Sequence, residues 1–211
     1  MTILLADPRV AAVPVLECRE RLVALPASFG PARARVRTSL AARLALAADL
    51  LPAGVTLRVV DGFRPVEAQL AIIARYSAEV CAVRPGVSAD ELERLTSRFV
   101  APIAVAPHVA GAAVDLTLVD AVGDELDLGT PIDATPEQSG DRCWFDAEDI
   151  SPDARANRDL LAQVMGLAGF VNYPTEWWHW SYGDRYWALM TGARAALYGP
   201  ADVVRSRRSA A

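Results

Sequence analysis

The stretch Pro174-Thr175-Glu176-Trp177-Trp178-His179-Trp180 constrains this chain more than any other. It gathers three of the five tryptophans around one of only two histidines, with a carboxylate three residues ahead. Indole rings favour burial, but an imidazole and a carboxylate in that much apolar surface are costly without partners. A fold for this chain must therefore bury the stretch and also bring polar groups to it. The other histidine opens His108-Val-Ala-Gly111-Ala-Ala-Val-Asp115, with an aspartate seven residues on. His108, Asp115 and His179 together make two imidazoles and one carboxylate. That is a three-ligand set suited to a catalytic zinc ion with its fourth position open. A lone histidine is more often a satisfied core residue, but two, each with a carboxylate at short spacing, favour the metal.

Glu176 is left over. It is either a fourth ligand that closes a structural site or the general base acting on water. Aromatic surroundings raise a carboxylate's pKa by desolvation, which suits the base. Spacing adds a condition. On a regular strand an odd separation sends side chains to opposite faces. His108 and Asp115 therefore need an irregularity, and Gly111 predicts a turn or bulge that folds His108 back. For Glu176 and His179 the bend at Pro174 is expected to keep Glu176 outside the regular strand. Arg64, between an apolar strand and a helix-starting proline, sits where loops line sites, and it suits an oxyanion. Asp61 either orients Arg64 or caps the turn.

Residues 8–31, punctuated by four prolines, predict extended segments and turns. Residues 32–51 predict an amphipathic helix with Leu40, Leu44 and Ala47 on one stripe. Val55–Asp61 reads as a buried strand and Pro65–Val83 as a helix with Leu70, Ile73 and Ser77 on one side. Ser88 and Glu91 form a capping-box signal for a helix to about Val100, and Pro102 and Pro107 predict extended chain after it. Ala112–Val119 reads as a strand. Residues 120–150 lack periodicity and read as a long loop. Ser151-Pro152 opens a helix to about Leu167. Residues 170–173 and 176–182 are strand-like, 184–198 a short helix or tail, and 205–211 a frayed end. Helices and strands do not alternate regularly. The expected architecture is α+β: one domain over 1–211, a mainly antiparallel sheet and helices gathered on one face.

Composition narrows the class. Of 211 residues 53% are hydrophobic, enough for a sizeable core. The net charge of −5 and scattered arginines exclude a nucleic-acid footprint. The apolar run from Leu40 to Leu51 is broken by Arg43 and Asp49, so no membrane span is expected. Three widely spaced cysteines, Cys18, Cys81 and Cys143, make a disulfide framework unlikely and point to a reducing cytoplasm. The N-terminus is too short and uncharged for a signal peptide.

Three motifs resemble one family. Asp61-Gly-Phe-Arg64-Pro65, His108-x-x-Gly111-x-Ala113-x-Asp115 and Glu176-Trp-Trp-His179 are similar to those of the zinc D-alanyl-D-alanine dipeptidases. That group includes the vancomycin-resistance dipeptidases and is related to the zinc DD-carboxypeptidases. The resemblance runs from about Leu57 to Trp187. It implies hydrolysis of D-alanyl-D-alanine or a close D,D-dipeptide, with zinc on His108, Asp115 and His179. It also implies Glu176 as base and Arg64 as transition-state stabiliser. Trp177 stands where the carboxypeptidase relatives carry the first histidine of His-x-His, which favours the dipeptidase branch. Ala106 stands where the dipeptidase pattern has a substrate-holding serine. Leu128-Gly-Thr-Pro-Ile-Asp133 resembles a segment whose aspartate binds the substrate's ammonium group, which implies that role for Asp133. Two alternatives stand beside this reading: a carboxypeptidase or amidase of the same fold, and a catalytically silent zinc-binding module. The partner implied is a small dipeptide.

Overall fold

A computed structural model describes residues 2–201, so the frayed end expected at 205–211 lies outside the described residues. Among the described residues, helices α1 (Pro8–Ala12), α2 (Thr38–Asp49), α3 (Val66–Val83), α4 (Ala89–Thr96), α5 (Pro136–Ser139), α6 (Pro152–Leu167) and α7 (Arg185–Thr191) accompany six strands. The strands are β1 (Leu22–Ala24), β2 (Arg35–Arg37), β3 (Thr56–Asp61), β4 (Ala113–Val119), β5 (Val171–Tyr173) and β6 (Glu176–Ser181). Chain contacts gather these into two compact units, one of Met1–Arg19, Arg64–Gly111 and Gly183–Ala211, the other of Glu20–Phe63 and Ala112–Tyr182. No helix among the described residues is long and apolar enough to cross a membrane.

The second unit holds a four-stranded antiparallel sheet in the order β3-β4-β6-β5, and a small β1-β2 pair. All seven residues of β4 and all six of β6 are buried, so neither strand alternates between buried and exposed positions. Both are inner strands covered on both faces, which removes the polar-out half of the pattern. Helix α2 buries Leu40, Leu44 and Ala47, the predicted stripe. It begins at Thr38, because Arg35–Arg37 pairs with β1 as strand β2. Pairing with β1, which buries Val36 and Arg37, outweighed the helix propensity of the surrounding alanines. Arg37 is buried and its Nη1 donates to the Glu20 carbonyl at 2.5 Å.

Helix α6 begins where Ser151 Oγ accepts from Ala154 N, with a proline in the first turn, and chain reversal follows at Gly169 with φ +85°. Its Arg158 is fully buried and organises the long loop. Nε donates to the Leu128 carbonyl, Nη1 to those of Trp144 and Phe145, and Nη2 to that of Arg142. Burial pulls its pKa down to about 10. Each buried carbonyl left without a donor would cost about 1–3 kcal/mol. Arg155 adds donations to the Phe145 and Ala147 carbonyls and Asn157 one to that of Asp127, so side chains of α6 supply part of the hydrogen bonding that residues 120–150 lack from regular structure. That segment also contains α5, opened by a capping box in which Thr135 and Gln138 satisfy each other's backbone N–H groups.

The first unit packs α4 on α3 around Tyr76, Val80, Leu95 and Val100. Of the side read as Leu70, Ile73 and Ser77 with Ile72 and Tyr76 beside it, Leu70 is 51% exposed, and the buried residues of α3 are Gln69, Tyr76 and Val80. Helix α4 ends at Thr96, short of the expected Val100, and Ile103–Val105 forms a 3-10 turn where extended chain was expected. Residues 8–12, within a stretch expected to hold extended segments and turns, are helical: the Asp7 side chain accepts from the Arg9 N–H and Pro8 opens the helix.

Candidate metal and catalytic site

The central strands align three acidic or imidazole side chains in one row. Asp61 on β3 lies opposite Asp115 on β4, which lies opposite His179 on β6. Residues directly opposite in an antiparallel pair share a face. His179 Nδ1 and Asp115 Oδ1 are 3.0 Å apart, and both side chains are buried. Tyr173 packs its ring edge-on to the His179 imidazole, with centroids 6.1 Å apart.

His108 sits in a turn rather than on the strand. Gly111 adopts φ +66° and its N–H bonds to the His108 carbonyl, closing a turn immediately before β4. His108, Asp115 and His179 each offer a ligand atom, all within 4.8 Å of one another and all on buried residues. Two imidazole nitrogens and a carboxylate oxygen, removed from water and converging, form a cluster able to bind a metal ion, and the donor types suit zinc.

Glu176 also faces His179, by a route other than the expected bend at Pro174. It is the first residue of β6, inside the strand. The irregularity follows it. Against β5, Asn172 pairs with Trp180 and Tyr173 with Glu176, so β6 advances four residues while β5 advances one. This bulge resets the facing of the side chains, and Glu176 Oε2 lies 3.8 Å from His179 Nδ1.

Arg64 is tied to the same turn: its N–H donates to the His108 carbonyl at 3.1 Å. Its guanidinium Nη1 donates to Gln69 Oε1 at 2.8 Å, and the buried Gln69 amide in turn donates to the Ala101 carbonyl at 2.9 Å. Gln69 is thus a neutral partner that helps to orient the Arg64 guanidinium. Asp61 Oδ1 accepts from Gly62 N at 2.7 Å, which fits its turn-capping alternative.

A family model described as D-ala-D-ala dipeptidase matches residues 30–191. The chain belongs to the D-Ala-D-Ala dipeptidase family. It is a peptidase by that membership. The D-alanyl-D-alanine dipeptidase of Synechocystis sp. (strain ATCC 27184 / PCC 6803 / Kazusa) is 34% identical to it over 173 residues, 72% of this chain and 69% of that protein. The D-alanyl-D-alanine dipeptidase of Enterococcus faecium is 30% identical over 137 residues, 62% of this chain and 64% of that protein. Among solved structures, VanYB in complex with D-Alanine-D-Alanine aligns over 97% of this chain and 99% of that one, with TM-score 0.52 and 18% identity. That likeness is one of fold, mixed helix and antiparallel sheet as the sequence predicts.

In this member of the dipeptidase family, Asp133 is exposed, with φ +63°, on the rim of an open cavity of about 360 Å³. Thr130, Gln138, Ser139 and Arg142 also line it. The Trp177 indole N–H donates to Thr130 Oγ1 at 2.9 Å, so the cavity wall is fastened to the residue after Glu176. Cys18, Cys81 and Cys143 are all free, and Cys143 is buried. Burial, reinforced by the nearby Glu176 carboxylate, pushes the Cys143 thiol up to about 11. Three supporting residues escape a motif reading: Gln69, Arg158 and Asn172. Their one available signal is polarity at positions the periodicity assigns to buried elements.

Proposed function

We propose that this chain hydrolyses D-alanyl-D-alanine, or a close D,D-dipeptide, to free D-amino acids, using zinc held by His108, Asp115 and His179. The observation that carries this reading is the convergence of those three donors within 4.8 Å, with the Glu176 carboxylate 3.8 Å from His179. The substrate comes from the relatives, whose name is D-alanyl-D-alanine dipeptidase. A bound zinc ion supplies Lewis acidity, lowering the pKa of water and polarising a carbonyl oxygen. Glu176 is the general base: it accepts the proton of the attacking water and delivers it to the leaving amine. Arg64, held by Gln69, stabilises the oxyanion that develops on the scissile carbonyl. Asp133 pairs with the substrate ammonium, so free dipeptides are preferred over blocked or longer chains. Ala106 is buried and offers no hydroxyl at the position of the family's serine, so the substrate depends more on its remaining polar contacts.

Selectivity tests this reading. D-alanyl-D-alanine is expected to release D-alanine, while its N-acetyl form loses a charge-assisted hydrogen bond worth about 1.5–3 kcal/mol. The corresponding drop in kcat/KM is roughly 10- to 100-fold. Equal turnover of the two substrates rejects the ammonium-binding role of Asp133. It then favours a carboxypeptidase, for which the open cavity beside Asp133 leaves room. No release from any D,D-peptide by zinc-loaded protein supports a silent module instead.

The cytoplasm is the compartment proposed for this reaction, since three free thiols suit a reducing environment. All three should react with a thiol reagent in denatured protein taken from its host. An intramolecular disulfide there contradicts the placement.

A further inference from the structure

We propose that Asn172, on β5, is a positioning residue for the reaction: its side-chain amide holds the β6 bulge that turns Glu176 and His179 to the same face. The inference rests on the reading of Glu176 as base and His179 as zinc ligand. Glu176 and His179 are three apart, and a regular strand would point them to opposite faces. The structure resolves this with the extra residues of β6 between its pairings to Tyr173 and Asn172. A bulge leaves backbone groups without ladder partners, and in a buried strand those groups must be satisfied by something else.

Asn172 does this from the neighbouring strand. Its Nδ2 donates to the Glu176 carbonyl at 3.0 Å and to the His179 carbonyl at 2.9 Å, and lies 3.4 Å from that of Trp177. The amide has two hydrogens, and they match the two short contacts. The Trp177 carbonyl takes its better bond from the Trp180 indole N–H at 3.1 Å. One side chain therefore clamps the backbone at both functional residues. Asparagine is disfavoured in strands, and its presence here is explained by this clamp. No other side chain type of that length offers two hydrogens from one neutral atom: aspartate offers none and would face three carbonyl oxygens.

The test is a cycle of Asn172→Ala and Glu176→Ala, alone and together, on the full chain loaded with zinc. Each protein is assayed for kcat and KM with D-alanyl-D-alanine, zinc affinity by chelator competition, and melting temperature. Asn172→Ala is expected to lower kcat by about tenfold or more, because small misplacement of a catalytic group is that costly. KM should stay within about twofold and zinc affinity should weaken through His179. In the Glu176→Ala background the kcat cost of Asn172→Ala should disappear, since the group it aligns is gone, while the zinc effect should persist. Asn172→Ser, with one short donor, should fall between. If Asn172→Ala does not fold, Asn172→Ser carries the same cycle. A lowered melting temperature with kcat and zinc affinity unchanged overturns the proposal, as does a kcat loss of equal size in both backgrounds. Full activity in Glu176→Ala alone is a separate outcome. It removes the base assignment, and with it the ground for a positioning role.

Discussion

In Glu176→Ala, zinc and fold are retained while kcat falls by ~10²–10⁴-fold, the usual cost of removing a general base. The geometry sets base against ligand in one measurement. Glu176 Oε2 is 3.8 Å from His179 Nδ1, on the same strand and beside the Asp115–His179 pair. As a base its loss leaves the three donors of the cluster intact, so zinc content stays at about one per chain. As a fourth ligand its loss weakens zinc binding first, and added zinc partly restores turnover. Zinc content and kcat from one preparation separate the two. Retained zinc with near-normal kcat contradicts both roles and transfers the search to another carboxylate, Asp133 first.

Removal of a ligand is expected to act in the opposite order. His179→Ala, Asp115→Ala and His108→Ala should each lose zinc, by more than the ~10–100-fold that loss of an outer-shell partner typically costs. Activity should follow zinc content and return in part at high zinc concentration. Asp115 carries a second expectation, because its Oδ1 is also the hydrogen-bond partner of His179 Nδ1. Asp115→Asn keeps the size of the side chain but loses the charge that favours the cation, so it should bind zinc more weakly than the parent. Full zinc occupancy in His179→Ala, measured by metal analysis after dialysis, removes the metal assignment outright.

Much of the fold was legible in the sequence for reasons that are local. The α2 stripe of Leu40, Leu44 and Ala47, the Ser151-Pro152 start of α6 and the strands on either side of Pro174 rest on periodicity, capping and turn chemistry within a few residues. Chemistry-bearing residue types were legible too, since two histidines in 211 residues, each near a carboxylate, leave few ways to build a metal site. The Gly111 turn that frees His108 could be anticipated from spacing and from glycine's access to positive φ.

Other features are set by partners far along the chain, and no local pattern reports them. Helix α2 starts at Thr38 because Arg35–Arg37 pairs with β1. Residues 120–150 have no periodicity to read, yet Arg155, Asn157 and the buried Arg158 of α6 bond their carbonyls. Glu176 lies within β6, and the bulge that aims it at His179 is held by an asparagine on another strand. The identities of Glu176, His179, Asp115 and His108 were decided by the sequence, because chemistry belongs to residue types. Their common facing was decided by the tertiary structure, because it depends on strand register and on side chains that satisfy backbone groups of a different element.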